Sequence, residues 1–314
     1  MNDFVGSLLI DKPAGITSHD VVARIRRAVG TRRVGHAGTL DPFATGLLVV
    51  CVGRATRLIR YLADLEKEYI ATVRLGFATD TQDLTGKPST PLVSAHNVTR
   101  DGVRRVLREF EGRQTQIPPM FSAKKVQGER LYKAARAGRD VEREPVEVVI
   151  SSVELIEVDG CAIGSNPDGT ADFKIRVRCS SGTYIRTLGN DIGARLGVGA
   201  HLAALRRTRI GRFEVGSALT LEGVDAKAGS GESKGLLLSP ADLLSHLPAI
   251  RLNDAEVAGV MNGRAVELPD ADGVVGGGAS PLRLCDKRCE LVAVGEYIPS
   301  HGVVMPRVVL RVAE

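Results

Sequence analysis

The chain has 314 residues, 43% of them hydrophobic and 25% charged, enough to bury a core and to build one large domain with a small one, or two of middle size. Its apolar runs are short and broken by charge, which excludes a transmembrane helix; the opening MNDFVGSLLIDKP lacks the basic leader of a secretory signal, so the expected location is the cytoplasm. The net charge of +5 is uneven, because residues 246–314 carry 7 Lys and Arg against 9 Asp and Glu; the excess positive charge therefore sits in residues 1–245, as a polyanion-binding surface requires and as many other soluble proteins also show.

In chain order, GSLLIDKPAGITS (6–18) opens on a short apolar run and turns at Pro13 and Gly15. Ser18 is expected to cap a helix with Val21, Val22, Ile25, Ala28 and Val29 on one face; Arg24, Arg26 and Arg27 lie off that face, and Gly30 ends it. Those arginines, continued by Arg32 and Arg33, fit a solvated helix face as well as an RNA contact. After a loop at 35–46, LLVVCVG (47–53) reads as a buried strand. YIATVRLGF (69–77) alternates like a strand and runs into the polar turn ATDTQDLTG (78–86). A helix at about 99–110 precedes a basic, irregular stretch at 113–145; strands follow at about 146–158 and 172–179 around a Gly-rich insert, 159–172. A helix at about 185–196 leads into HLAALRRTRIGRF (201–213). AKAGSGESKG (226–235) reads as a flexible loop, and the composition changes near 246–250 to valine-rich, strand-like pieces. Helices and strands mix without a βαβ rhythm, so the expected class is α+β.

Two features carry possible chemistry. The five cysteines, 51, 161, 179, 285 and 289, are odd in number and scattered, as in a reducing compartment; Cys285 and Cys289 stand at C-x3-C spacing, but no second pair or nearby histidine completes a metal site, so they read as ordinary thiols. GHAGTLDPFATGLL (35–48) places Asp41 before Pro42 in a Gly-rich loop leading into the buried strand, and the proline biases Asp41 toward extended backbone. Read alone, such an aspartate is more often a turn residue than a catalytic one, although a loop anchored on apolar structure is a common place for a catalytic side chain.

GHAGTLDPFATGLL closely resembles the signature of the TruB family of pseudouridine synthases. Four further segments resemble family motifs in the same order: DKPAGITS (11–18), KEYIATVRLGFATDTQDLTG (67–86), QIPPMFSAKKVQGERLYKAARAG (116–138) and SSGTYIRTLGNDIGARLGVGAHLAALRRTRIGRF (180–213). The resemblance covers about residues 6–245. It implies a fold with a central mixed, mostly antiparallel sheet flanked by helices and loops, spanning 1–245 with an RNA-gripping insert at about 113–145. A small PUA-like β domain, 246–314, would follow it.

The activity implied is isomerisation of uridine to pseudouridine at position 55 in the TΨC loop of tRNA, with base flipping. Neither metal nor organic cofactor is implied, and the T-arm of tRNA is the partner. No membrane and no obligate protein partner are expected, and the chain should act as a monomer.

Matched residue by residue, Asp41 is the catalytic carboxylate, Arg186 its ion-pair partner and Tyr69 the aromatic that stacks on the extracted base. His36 matches the residue that fills the vacated stack. Tyr184 and Leu205 match pocket-lining residues, with core packing an alternative; Lys12 falls in the Lys-Pro motif; Asp83 falls in the acidic turn, where turn capping explains it equally well. Lys125 and Arg130 match the RNA grip, in which Arg113, Lys124, Lys133, Arg136 and Arg139 interleave with Phe121 and Tyr132. The chain departs from the family pattern at Lys124, often apolar there, and at Phe121, often tyrosine. Rival readings are the guide-RNA-dependent branch of the superfamily and a catalytically silent tRNA chaperone. A phosphate-loop enzyme is excluded, because no G-x4-GK[ST] motif is present.

Overall fold

The computed structural model describes residues 4–122, 125–126, 129–130, 139, 141–157, 160–229, 235, 237–268 and 281–311. From the N-terminus, β1 (Gly6–Lys12) is followed by helix α1 (Ser18–Val29), the short β2 (Val34–Ala37), β3 (Thr45–Val52) and a 3-10 helix, Gly53–Leu62. Next come β4 (Lys67–Leu75), α2 (Arg100–Glu109), β5 (Gly112–Gln116) and a small hairpin of β6 (Lys125–Val126) and β7 (Glu129–Arg130). β8 (Val146–Ile156), β9 (Gly164–Ser165), β10 (Ala171–Cys179), α3 (Ile185–Arg195), β11 (Ala200–Ile210) and β12 (Phe213–Glu214) complete the larger part. The remainder holds α4 (Leu221–Gly229), α5 (Pro240–Leu243), β13 (Ala249–Arg251), α6 (Asp254–Met261), β14 (Val266–Glu267), β15 (Pro281–Cys285), β16 (Leu291–Ile298) and β17 (Val303–Val309).

The fold is α+β, as the residue pattern implies. The central sheet runs β1-β3-β11-β4-β10-β8-β5, with β2, β9 and β12 paired at its sides. Its pairings are antiparallel except one: β3 and β11 run parallel where Thr45 meets Arg206 and Gly46 meets Arg207. A second sheet, β13-β15-β16-β17-β14, forms the C-terminal part.

The two halves of the central sheet are buried differently, and the sequence shows why. β3 is apolar at nearly every position, so it is covered on both faces: Leu47, Val49 and Cys51 pack with the 3-10 helix, while Leu48, Val50 and Val52 pack with α1 and α4. β4 and β10 alternate, so Ala71, Val73, Leu75, Phe173, Ile175 and Val177 face α2 and α3. Their other face carries the ion pairs Arg74–Asp172 at 2.7 Å and Arg178–Glu68 at 2.8 Å. Each fully buried Leu, Ile or Val contributes about 1.5–3 kcal/mol.

Three expectations are corrected locally. Thr17, not Ser18, caps α1, in a reciprocal box with Asp20, because the Ser18 hydroxyl is engaged by Leu40. The segment 35–46 is not all loop, since Val34–Ala37 pairs with Val49–Val52 as β2. Residues 226–229 are helical, as the end of α4, where Leu221 and Val224 bury against α1 and Asp225 accepts from Arg24 at 2.8 Å.

Candidate active site

The site lies where the two halves of the central sheet meet. Asp41 precedes β3 in a turn opened by Gly38, whose φ of +83° favours glycine. The segment 12–18 braces this turn from below. Lys12 Nζ donates to the carbonyls of Pro13 and Ile16 at 2.8 Å and of Pro42 at 3.3 Å. The Ser18 hydroxyl accepts the Leu40 amide at 2.9 Å and donates to the Leu40 carbonyl at 3.2 Å, and the Gly15 amide donates to the Pro42 carbonyl at 2.8 Å. Lys12 is fully buried, and that burial pushes its ammonium down to about 8 against the pull of Asp41. The structure therefore places Lys12 behind the turn as an anchor, not on a surface open to RNA.

Arg186 sits in the first turn of α3, buried, with its guanidinium divided between two carboxylates. Its Nε lies 2.9 Å from Asp41 Oδ2 and its Nη2 3.5 Å from Asp41 Oδ1, an asymmetric fork. Its Nη1 lies 3.5 Å from Asp83 Oδ2 and donates to the Thr81 carbonyl at 2.8 Å, while Nη2 donates to the Phe121 carbonyl at 2.6 Å. Asp83 also caps its own turn, accepting from the Thr81 hydroxyl at 2.8 Å and the Thr85 amide at 2.9 Å. Asp83 thus caps its turn and also approaches the guanidinium that pairs with Asp41, behind the residues that line the cleft. Burial pushes the Asp41 carboxyl above the usual carboxylate range; Arg186 pulls it back, and the charge of Asp83 adds to the upward push.

Asp41, Tyr69, Tyr184, Arg186 and Leu205 line one cleft of about 330 Å³, together with Lys67, Ser122 and Arg207. Tyr69 faces it from β4, two residues after Lys67 on the same side of the strand. Tyr184 is held at the start of α3 by Gln116, whose side chain accepts the Tyr184 amide at 2.9 Å and donates to its carbonyl at 3.3 Å. His36 stands on β2, just outside the lining, half-buried, with a buried Nδ1 that has no hydrogen-bond partner among the described residues; burial, reinforced by Arg207, pushes its pKa down and favours the neutral ring. Lys125 and Arg130 are register partners across β6 and β7. Lys124, Tyr132, Lys133 and Arg136 lie outside the described residues.

Two lining cations, Lys67 and Arg207, escape a reading from motifs. Strand alternation would have found them, because Lys67 shares a face with Tyr69 and Arg207 with Leu205. Among the described residues no group of three His, Cys, Asp or Glu side chains could hold a metal, and no helix is long and apolar enough to cross a membrane.

Residues 26–185 match the model of the TruB family pseudouridylate synthase N-terminal domain, and residues 186–242 that of the tRNA pseudouridylate synthase B C-terminal domain. With this fold and site, they define the class: a pseudouridylate synthase, an isomerase of RNA uridine. The chain is 47% identical over 272 residues to tRNA pseudouridine synthase B of Thermobifida fusca, covering 86% of this chain and 89% of that one. It is 39% identical over 311 residues to the protein of the same name from Geobacillus thermodenitrificans, covering 98% and 99%. The chain belongs to the TruB family. Among solved structures it is similar to a chain of a Cbf5-Nop10-Gar1 complex, with a TM-score of 0.71 and 29% identity over 99% of this chain and 84% of that one.

Proposed function

We propose that the chain converts uridine 55 in the TΨC loop of tRNA to pseudouridine, with Asp41 as the catalytic carboxylate. The observation that carries this reading is the Asp41–Arg186 pair at 2.9 Å, set in a cleft that also holds Tyr69. The reaction breaks the N1–C1′ bond, turns the uracil and joins C5 to C1′; C5 loses a proton and N1 gains one. Atoms and oxidation state are unchanged, so the isomerisation calls for no oxidant or reductant. A carboxylate must stand beside the sugar and the base while they are apart. Arg186 keeps Asp41 oriented and favours its ionised form.

Extracting the base from a folded loop costs a few kcal/mol. Stacking on Tyr69 offsets about 1–3 kcal/mol of that cost, while Leu205 and Tyr184 shape the apolar walls. His36, next to the cleft and favouring its neutral form, occupies the space that the base leaves. Lys125 and Arg130, brought side by side on one hairpin, grip the RNA backbone. Identity to the two proteins named tRNA pseudouridine synthase B, 47% and 39%, exceeds the 29% to the chain of the Cbf5-Nop10-Gar1 complex, which favours action on tRNA over the guide-RNA-dependent reading.

The test is to incubate purified protein with unmodified tRNA transcript and map pseudouridine chemically. Modification at uridine 55 by the wild-type chain alone is expected. Asp41→Asn should abolish it while the Kd for tRNA changes less than about threefold. An unmodified transcript after incubation with the wild type overturns the stand-alone reading, and loss of binding in Asp41→Asn assigns Asp41 to structure.

A further inference from the structure

Arg207 lies beneath the cleft, 1% exposed, and has no ion-pair partner among the described residues. Its Nε donates to the Leu47 carbonyl at 2.8 Å, Nη2 to the Gly38 carbonyl at 3.0 Å and Nη1 to the Thr39 carbonyl at 3.5 Å. All three acceptors belong to the segment that carries Asp41. On its other side Arg207 is the register partner of Tyr69 across β11 and β4, and both side chains line the same cleft.

A buried guanidinium without a carboxylate is unfavourable, since main-chain dipoles restore only part of the lost hydration. Bracing a loop by three carbonyls needs donors, not a positive charge. The charge is therefore the feature that structure alone does not explain, and it stands between the two groups that must meet one base.

We propose that Arg207 is a positioning residue of the isomerase: its guanidinium ties the Gly38–Leu47 segment to β11 beside Tyr69, so that Asp41 and Tyr69 present one rigid frame to the flipped uracil. This rests on the isomerase reading above. Tyr69 is faced by Lys67 on its own strand, by Cys179 from β10, by Arg207 from β11 and by Asp41 from the turn, with Arg186 of α3 on the far side of Asp41. Burial pushes the Tyr69 phenol above its ordinary range, and among these groups Arg207 pulls it back most strongly.

The test uses the full chain with fluorotyrosine at its five tyrosines, read by 19F NMR, with Tyr69→Phe assigning the Tyr69 line. In Arg207→Gln the Tyr69 line should move and titrate at higher pH, because the neighbouring cation is gone. The kcat for uridine isomerisation should fall about a hundredfold with KM within about threefold. Arg207→Lys, which keeps the charge but not the fork, should displace the line less and lower kcat about tenfold. A folded Arg207→Gln with an unmoved Tyr69 titration overturns the proposal. If Arg207→Gln does not fold, a folded Arg207→Lys with wild-type kcat and an unmoved Tyr69 line overturns it equally. The NMR readout requires no RNA, so failure of the isomerase reading, seen as no pseudouridine from the wild type, is distinguishable from failure of this one.

Discussion

Arg186 holds Asp41 and Asp83 at once, so the second carboxylate influences the first in two opposing ways. Its charge adds to the upward push on Asp41, and its oxygen helps keep the guanidinium in place. For Asp83→Asn the electrostatic part has a definite sign: with that negative charge gone, Asp41 ionises at lower pH, and the acid limb of kcat moves down. The positional part lowers kcat at every pH, by about tenfold to a hundredfold. A pH–rate profile under single-turnover conditions separates the two effects; an acid limb that moves up would contradict this account. Asp41, Tyr69 and Arg186 were legible as candidates because the signature at 35–48 and the motifs at 67–86 and 180–213 mark them by position, and all three line one cleft. Lys12 was legible as a motif residue but not as a loop anchor, because nothing local shows that its ammonium turns back onto the carbonyls of Pro13, Ile16 and Pro42.

At the scale of elements, the sheet depends on one close approach. Gly46 has a φ of +102°, and a Cβ there would stand 2.2 Å from the Arg207 carbonyl oxygen and 2.8 Å from its nitrogen. Gly46→Ala therefore forces β3 and β11 apart as well as straining its own backbone, and should lower stability by at least about 3 kcal/mol, measured by denaturant unfolding. A loss under about 1 kcal/mol would show that the strands separate without cost. β3, β4, α2, β8, β10 and α3 were readable from apolar periodicity. β2 was not, since its four residues carry little pattern and, among the described residues, it pairs only with β3. The end of α4 was hidden by its small, polar composition; packing against α1 decides its form, not propensity.

At the scale of the whole molecule, the C-terminal sheet shares a core with the catalytic part. Leu291, Val294, Val308 and Leu310 pack with Ala55, Leu58 and Leu62 of the 3-10 helix. Arg54 and Arg57 donate to the carbonyls of Leu310 and Val309 at 3.0 and 2.8 Å. A composition change near residue 246 points to a boundary but does not reveal this common core, because the contacts join residues more than 200 positions apart. Leu58→Ala should cost about 2–5 kcal/mol and lower the melting of both parts together, as one calorimetric transition. Two separate transitions, with only one displaced, would show that the parts unfold independently.

The bond from Arg207 to Leu47 closes a loop of 160 residues. Such a long closure is slow compared with local helix and hairpin formation. During synthesis, Asp41 and Tyr69 leave the ribosome long before the strand that locks them together. An emerging chain that ends before β11 carries both side chains and no assembled site, so chemistry on uridine waits until β11 has emerged and paired.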